Sequence, residues 1–185
     1  YLDLAKFFRG LETKLIYSDH HLSHTLTALA YSNSKNDICS IVVDGFGDRS
    51  TASISQIVDP TEINELWECK YPVSLGLFYS SITDYLGFAI NEGEYKVMGL
   101  ASFGDSNSKS AKLVSELMDW DSTSNKIISD MSYFDYHVST SNSFNSKLES
   151  LLGPARNPFD KLIPGDRDFQ KYADIARGAQ DLTIY

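Results

Sequence analysis

Residues 38–48, ICSIVVDGFGD, decide how this sequence folds. They begin with a near-continuous apolar, β-branched run that ends at Asp44, and a glycine-containing turn follows. Such a run is typical of a buried central β-strand. Residues 51–58, TASISQIV, alternate in polarity and predict an antiparallel neighbour. Residues 63–71, INELWECKY, follow the turn DPTE and predict a third strand. We therefore predict a three-stranded meander.

One helix is predicted before this meander in the sequence, and another is predicted after it. Residues 20–31, HHLSHTLTALAY, have a helical pattern with Ser18 or Asp19 as the N-cap. Residues 75–86 carry apolar side chains at helical spacing, and Gly87 is the expected stop. A meander followed by a helix begins each half of the actin-like, ribonuclease-H-like ATPase fold. The pattern alone leaves other α/β and α+β arrangements open.

The second half of the sequence is less regular. Residues 102–110, SFGDSNSKS, are predicted to be a loop before a short helix at 111–120, AKLVSELMDW. Residues 121–167 contain the loop motifs GPARNP and IPGD. Residues 168–185 form a last helix, with one predicted apolar face made by Phe169, Tyr172, Ala173, Ala176 and Ala179.

Composition limits the functional classes. The chain has 185 residues, 42% hydrophobic and 22% charged, as in a soluble globular protein. Its net charge of -9 argues against a broad phosphate-backbone interface, so no nucleic-acid partner is expected. No apolar run approaches a membrane span of about 20 residues, so no membrane association is expected. Cys39 is expected to be a reduced core residue, which favours a cytoplasmic location. Because the sequence starts at Tyr1 and ends within a helical pattern, we expect a fragment.

Three of the four histidines lie within residues 18–24, SDHHLSH. On a helix, His20 and His24 are four residues apart and lie about 40° from each other, so both can bind one ion. The alternative is a solvated polar face, because an HxxxH spacing alone is a weak signal. Three leucines fall on nearly the opposite face and are expected to enter the core: Leu22, Leu26 and Leu29.

Asp44 strengthens the case for a metal site. It ends a strand, where open α/β sheets build their sites, and two histidines with one carboxylate suit zinc or non-haem iron. Gly45 and Gly47 allow a phosphate to approach the backbone, although a plain β-turn is the alternative. His21, about 100° from His20, is expected to hydrogen-bond near the metal or to contact a substrate. His137 is expected to be an ordinary strand or loop histidine.

Several stretches together resemble a known family. They are DHHLSHTLTALAYS, VVDGFGD, the long block at 71–104 that starts YPVSLGLFYSS, LLGPARNPFD and DFQKYADIARGAQ. The sequence resembles the carbamoyltransferases of nodulation-factor and antibiotic-tailoring pathways, which are related to the tRNA threonylcarbamoyl-adenosine synthases. The resemblance covers nearly the whole chain.

This resemblance implies an α/β, actin-like fold that is truncated at both ends. Residues 1–37 would end the first actin-like subdomain, and residues 38–185 would form an incomplete second one. A C-terminal YrdC-like domain, absent here, would make carbamoyl-adenylate from carbamoyl phosphate and ATP. The actin-like domain would pass the carbamoyl group to a hydroxyl or amine of a small-molecule acceptor. The fragment alone is expected to be inactive.

The resemblance also implies roles for individual residues. His20, His24 and Asp44 would bind a divalent metal, with iron expected. The segment GEYK at 93–96 resembles the nucleotide-side segment of the related tRNA enzymes, which suggests roles for Glu94 and Lys96.

Asp44, Gly45 and Gly47 would then face bound ATP or carbamoyl-adenylate. His21 is a candidate for acceptor contact or general base, and hydrogen bonding near the metal is the alternative. Three other functions stay open for the protein: a tRNA threonylcarbamoyl transferase, a sugar-kinase-like ATPase, and a non-catalytic interaction domain that retains the fold. The acidic composition disfavours the first, and the HxxxH spacing disfavours the second.

Overall fold

A computed structural model describes residues 16–34 and 37–184. They form a mixed α/β structure. The helices are α1 (His20–Tyr31), α2 (Leu75–Tyr85), α3 (Glu94–Ala101), α4 (Lys109–Ser115), α5 (Ser146–Leu152) and α6 (Arg167–Ile184). The strands are β1 (Ile38–Gly47), β2 (Ser50–Asp59), β3 (Glu62–Lys70), β4 (Met118–Asp121) and β5 (Lys126–Ser129), and a short 3-10 helix spans Met131–Tyr133. The predicted first subdomain, residues 1–37, lies partly outside the described residues.

The predicted meander is confirmed. Strands β1, β2 and β3 pair antiparallel in sequence order. The prediction that residues 38–44 are central is wrong for the described sheet, because β2 is central and β1 lies at an edge. Within β1, Val42 is buried whereas Ile41 and Val43 are 68% and 56% exposed. Cys39 is also exposed, so the expected core position is wrong. A continuous apolar run identifies a strand but not its place in a sheet.

Helix α1 packs on β1 and β2 with an unexpected rotation. Its buried residues are His21, Thr25 and Leu29. Leu22 and Leu26 are 38% and 39% exposed, so two members of the predicted apolar face do not enter the core. The helix instead presents polar side chains to polar positions of the sheet. Apolar spacing alone therefore gave the wrong buried face for this helix.

The main core lies around α2. Ser74 caps this helix by accepting a hydrogen bond from Leu77 N, and Phe78, Ile82 and Leu86 are fully buried. The helix ends before Gly87, which has a φ of 69° and provides the predicted stop. Helix α6 packs on α3 and α4. Four residues of its predicted apolar face are buried: Phe169, Ala173, Ala176 and Ala179. The fifth, Tyr172, is half-buried.

The predicted helix at 111–120 is only partly correct. Helix α4 ends at Ser115, and Met118–Asp121 form strand β4, which pairs with β5. Trp120 contacts Trp67 of β3, with ring centroids 5.6 Å apart, so the hairpin is held against the meander. The sequence predicted a strand or loop position for His137, and the structure places it in a turn. No helix in the described part of the chain is both long and apolar enough to span a bilayer.

Candidate metal centre

The first turn of α1 is fixed to the end of β1. Asp19 is the N-cap, as predicted, and its Oδ1 accepts a hydrogen bond from Leu22 N at 3.0 Å. Asp48 Oδ2 accepts two further hydrogen bonds, from His20 N at 3.0 Å and from the Tyr17 hydroxyl at 2.9 Å. These contacts place the start of the helix directly beside the last residues of β1, close to Asp44.

The structure brings the three predicted metal ligands together. His20 Nε2 lies 2.6 Å from Asp44 Oδ2 and 3.1 Å from His24 Nε2. His24 Nε2 lies 3.7 Å from Asp44 Oδ2. One ligand atom of each residue therefore lies within 4.8 Å of the others. Ligands about 2.1 Å from one ion are separated by about 3.0–3.4 Å in octahedral or tetrahedral geometry, close to these spacings.

One ordinary hydrogen bond at His20 Nε2 accounts for only one of its two short contacts. A neutral imidazole nitrogen either donates one hydrogen or accepts one. If His20 Nε2 donates to Asp44, it has no lone pair for a hydrogen from His24. If it accepts from His24, its lone pair faces a carboxylate oxygen at 2.6 Å. A cation between the three atoms resolves this conflict, because all three groups can offer lone pairs to it. The donor set therefore fits a divalent metal ion.

Asp44 is aimed by an irregularity in its strand. The pairing of β1 with β2 shifts register between Val43 and Gly47, and such irregularities often re-aim side chains beside sites. Its Oδ1 accepts a hydrogen bond from Gly45 N at 2.6 Å. Burial disfavours the charged carboxylate, but the hydrogen bonds from Gly45 and His20 outweigh it, and the pKa of Asp44 is lowered. Asp44 therefore offers an ionised oxygen.

The prediction that the strand ends at Asp44 and that Gly45 and Gly47 lie in a turn is wrong, because β1 continues to Gly47 and the turn falls at Asp48 and Arg49. The two glycines of the strand have different surroundings. A Cβ on Gly47 would lie 2.8 Å from His20 Cγ and 3.1 Å from His21 Cδ2, so both imidazoles use the space that a side chain would fill. A Cβ on Gly45 would meet only Leu77, at 3.7 Å, which is an ordinary contact. Gly47 therefore makes room for the histidine rings, whereas Gly45 lies in ordinary contact with Leu77 and has Gly76 packed closely on its backbone.

His21 faces the sheet. Its side chain is buried, and Nδ1 shares a hydrogen bond of 2.8 Å with Ser53 Oγ. Nε2 is also buried and has no hydrogen-bond partner among the residues described. Burial is the largest influence on His21 and lowers its pKa, which favours the neutral ring. Of the two roles that the sequence left open, the contact with Ser53 favours hydrogen bonding near the metal site over acceptor contact.

An open cleft of about 330 Å³ lies on the outer side of the histidine pair. It is lined by polar side chains, several of them hydroxyls: Tyr17, Ser18, His20, Ser23, His24, Thr27 and Asp48. A small molecule can therefore reach the histidine pair from solvent.

Glu94 is held by its own loop and by α2. Its carboxylate accepts hydrogen bonds from Asn91 N, Gly93 N and the Ser80 hydroxyl. Ser80 follows Gly76 by one turn of α2, and a Cβ on Gly76 would lie 2.7 Å from Gly45 Cα. Glu94 is therefore linked through Ser80 to the helix whose Gly76 packs on β1.

Lys96 lies on the exposed side of α3. Its ammonium group is 5.8 Å from the ring centroid of Phe88 and 5.7 Å from that of Tyr95. It forms no ion pair with Asp44 in the described part of the chain. The structure therefore brings together His20, His24 and Asp44 with the two glycines, links Glu94 to α2, and places Lys96 in separate contacts.

Sequence reasoning missed the residues that hold α1 in place. The sequence pattern places Ser53 in an alternating strand, Ser40 in a near-continuous apolar run and Asp48 in a turn, and it assigns none of them a partner on α1. One signal was available, because small hydroxyl residues recur at alternate positions of β2 (Thr51, Ser53 and Ser55), where a helix-covered sheet usually has apolar ones. That pattern indicates a polar partner above the sheet.

Comparisons with known proteins agree with the resemblance. The model of the family "Carbamoyltransferase N-terminus" matches residues 2–159. Uncharacterized protein sll1178 of Synechocystis is 32% identical over 170 residues, which cover 91% of this chain and 26% of that protein. Nodulation protein NolNO of Sinorhizobium fredii is 34% identical over 114 residues, covering 56% of this chain and 16% of the relative. Nodulation protein NolO of Bradyrhizobium diazoefficiens is 37% identical over 87 residues, covering 47% and 15%.

The chain thus spans about a quarter or less of the length of these relatives. The family match, however, covers most of the chain itself and includes α1, the meander and α2–α5. The predicted relationship is confirmed: this chain belongs to the carbamoyltransferase N-terminal family.

Proposed function

We propose that this chain provides the metal-binding part of an enzyme that transfers a carbamoyl group from carbamoyl-adenylate to a hydroxyl or amine of a small molecule. The observation that carries the proposal is the convergence of His20, His24 and Asp44 beside an open cleft, in a chain of this family. Net charge of -9 favours a small-molecule acceptor over a tRNA acceptor.

The reaction needs little covalent help from the protein. Carbamoyl-adenylate is a mixed anhydride and is already activated. The acceptor oxygen or nitrogen forms a bond to the carbamoyl carbon, the bond between that carbon and the AMP oxygen breaks, and the acceptor loses a proton. Positioning, charge stabilisation and removal of that proton are the tasks that remain.

The residues of the metal centre suit these tasks. His20, His24 and Asp44 would hold a divalent ion, with iron proposed, and leave positions open toward the cleft. When bound, such an ion supplies Lewis-acid stabilisation of oxygens that gain negative charge. Gly45 is proposed to border the nucleotide, because no side chain of its own covers its backbone.

The nucleotide is proposed to lie between the strand end and α3. Support comes from Glu94, whose carboxylate accepts a hydrogen bond from Ser80 of α2, the helix whose Gly76 packs closely on Gly45. Lys96 is proposed to meet the phosphates from the exposed face of α3, after leaving the rings that it contacts here. Asp44 would border the same space. Gly47 would border it indirectly, because the histidine rings occupy the volume that a side chain at Gly47 would fill.

The wider architecture is part of the same proposal. The order of meander and helix supports an actin-like arrangement, with residues 38–185 in its second subdomain. The much greater length of the relatives leaves room for a YrdC-like domain that makes carbamoyl-adenylate from carbamoyl phosphate and ATP. Since all these substrates are cytoplasmic metabolites, we propose a cytoplasmic location.

Metal content and carbamoyl transfer, measured on the purified full-length protein, test the proposal. The variants His20→Ala and His24→Ala are expected to lose the metal and the activity together. His137→Gln is the matched control, because His137 is the histidine outside residues 18–24, and it is expected to retain both. The 185 residues alone are expected to show no transfer. Full metal occupancy in a folded double variant lacking His20 and His24 would contradict the assignment.

A further inference from the structure

We infer that His21 is a positioning residue whose hydrogen bond with Ser53 sets the rotation of α1, and thereby the place where His20 and His24 meet Asp44. This inference rests on the proposed metal site and concerns residues beyond its ligands. It starts from an unusual helix-to-sheet contact: α1 packs on β1 and β2 largely through polar side chains.

The contact is polar along most of its length. Only Leu29 among the three buried residues of α1 is apolar. His21 Nδ1 is 2.8 Å from Ser53 Oγ, and Thr25 Oγ1 is 3.1 Å from Ser40 Oγ. Hydrogen bonds depend strongly on direction, whereas apolar contacts are non-directional. Two directional bonds on one helix face therefore fix the rotation of α1 about its axis. The apolar contacts of its leucines do not fix that rotation.

The rotation of α1 decides whether the metal ligands meet. His21 is about 100° from His20 and about 60° from His24 around the helix axis. Any rotation of α1 that moves its buried residues therefore moves the two metal-binding histidines by the same angle. A side-chain tip lies about 5–6 Å from that axis, and a rotation of 20° moves it by about 2 Å. Metal–ligand distances tolerate only about 0.2 Å. A small loss of rotational control therefore separates the histidines from Asp44.

The His21–Ser53 pair is well placed for this role. His21 is 6% exposed and Ser53 is 3% exposed, so neither group has ready access to water if the other is removed. The bond to Ser53 is the hydrogen bond that orients the His21 ring, since Nε2 has no partner in the part of the chain described. Beside the pair is a cavity of about 130 Å³, lined by Ser53 and Ser55 among others.

This cavity makes a matched set of variants possible. Ser53→Ala removes the hydroxyl that binds His21. Ser53→Thr keeps it, and the adjacent cavity has space for the added methyl group. Ser55→Ala removes a hydroxyl from the same face of β2, and this hydroxyl makes no hydrogen bond to α1 among residues 16–34 and 37–184. The three variants separate the bond to His21 from general effects on the strand.

The test uses the purified full-length protein with Co²⁺ alone as the probe. Its dissociation constant and the visible absorption of the bound ion are measured beside the thermal unfolding midpoint of the metal-free protein. Ser53→Ala is expected to bind Co²⁺ about 10-fold to 100-fold more weakly, with an altered absorption spectrum. Ser53→Thr and Ser55→Ala are expected to retain wild-type affinity within about threefold and the wild-type spectrum.

Wild-type affinity and spectrum in Ser53→Ala would overturn the inference, as would equal losses in Ser53→Ala and Ser55→Ala. If Ser53→Ala does not fold, His21→Asn and His21→Leu replace it. Asparagine has an amide near the position of Nδ1 and is expected to keep Co²⁺ affinity, whereas leucine is expected to lose it; equal affinities would contradict the inference. A wild-type protein that does not bind Co²⁺ would overturn the proposed metal site, and the inference with it.

Discussion

Replacing Gly47 by alanine tests whether the histidine rings need the bare backbone of β1. The new Cβ would lie 2.8 Å from His20 Cγ, whereas ordinary contacts begin near 3.4 Å. The ring must therefore retreat by at least about 0.6 Å, three times the tolerance of about 0.2 Å for metal–ligand distances. We expect metal affinity to fall by at least about 10-fold. We also expect crowding to lower the free energy of unfolding by about 1–3 kcal/mol.

Gly45→Ala is the matched control, because it adds the same methyl group to the same strand, two residues away. Its Cβ would lie 3.7 Å from Leu77 Cδ2, an ordinary contact. We expect wild-type metal affinity and a free energy of unfolding that is unchanged or higher by about 0.4–1 kcal/mol. Isothermal titration with Co²⁺ and urea unfolding of the full-length protein provide both measurements. Wild-type affinity in a folded Gly47→Ala variant would refute the argument from ring crowding.

Three further predictions concern stability, each measured by chemical denaturation. Hydrogen bonds outweigh burial and hold the pKa of Glu94 below its usual 4.5; Glu94→Gln should therefore cost about 1 kcal/mol at pH 7, and the difference should vanish as the pH falls through the lowered pKa of the folded protein. Tyr85→Phe should cost about 1–2 kcal/mol, because its buried hydroxyl donates to Gly153 O at 2.6 Å, whereas exposed Tyr95→Phe should change stability by less than about 0.5 kcal/mol. Arg156→Lys should cost at least about 2 kcal/mol, because the buried guanidinium donates to four backbone carbonyls that an ammonium group cannot reach together. A stability loss in Glu94→Gln that does not depend on pH would contradict the first expectation. Equal stability changes in Tyr85→Phe and Tyr95→Phe would contradict the second, and unchanged stability in Arg156→Lys would contradict the third.

Local chemistry made much of the fold predictable. Capping by Asp19, the stop at Gly87 and the extended conformation of β2 are properties of short stretches, and each agrees with the structure. The meeting of His20 and His24 follows from helix periodicity alone. Their proximity to Asp44 is a long-range contact, which the ligand chemistry of two histidines and one carboxylate suggested and the family resemblance implied.

Other features depend on contacts that no short stretch contains. The edge position of β1 depends on which strands pair, and its apolar run has no information on that order. The buried face of α1 was predicted from leucine spacing, but hydroxyl partners on the sheet bury His21 and Thr25 instead. Strand β4 was assigned to a helix because its four residues are too few for a reliable period.

The contact between Trp67 and Trp120 gives the molecule a local optical signal. The chain has two tryptophans, and both lie in this one joint between β3 and the β4–β5 hairpin. The indole of Trp67 also donates to Asn125 O at 2.8 Å, within the same hairpin. Tryptophan emission therefore reports separation of hairpin and meander, while far-ultraviolet circular dichroism reports mainly the helices. Coincident unfolding curves from the two signals would mean that the joint and the helical core unfold as one cooperative unit, and an earlier change in emission would mean that the hairpin detaches first.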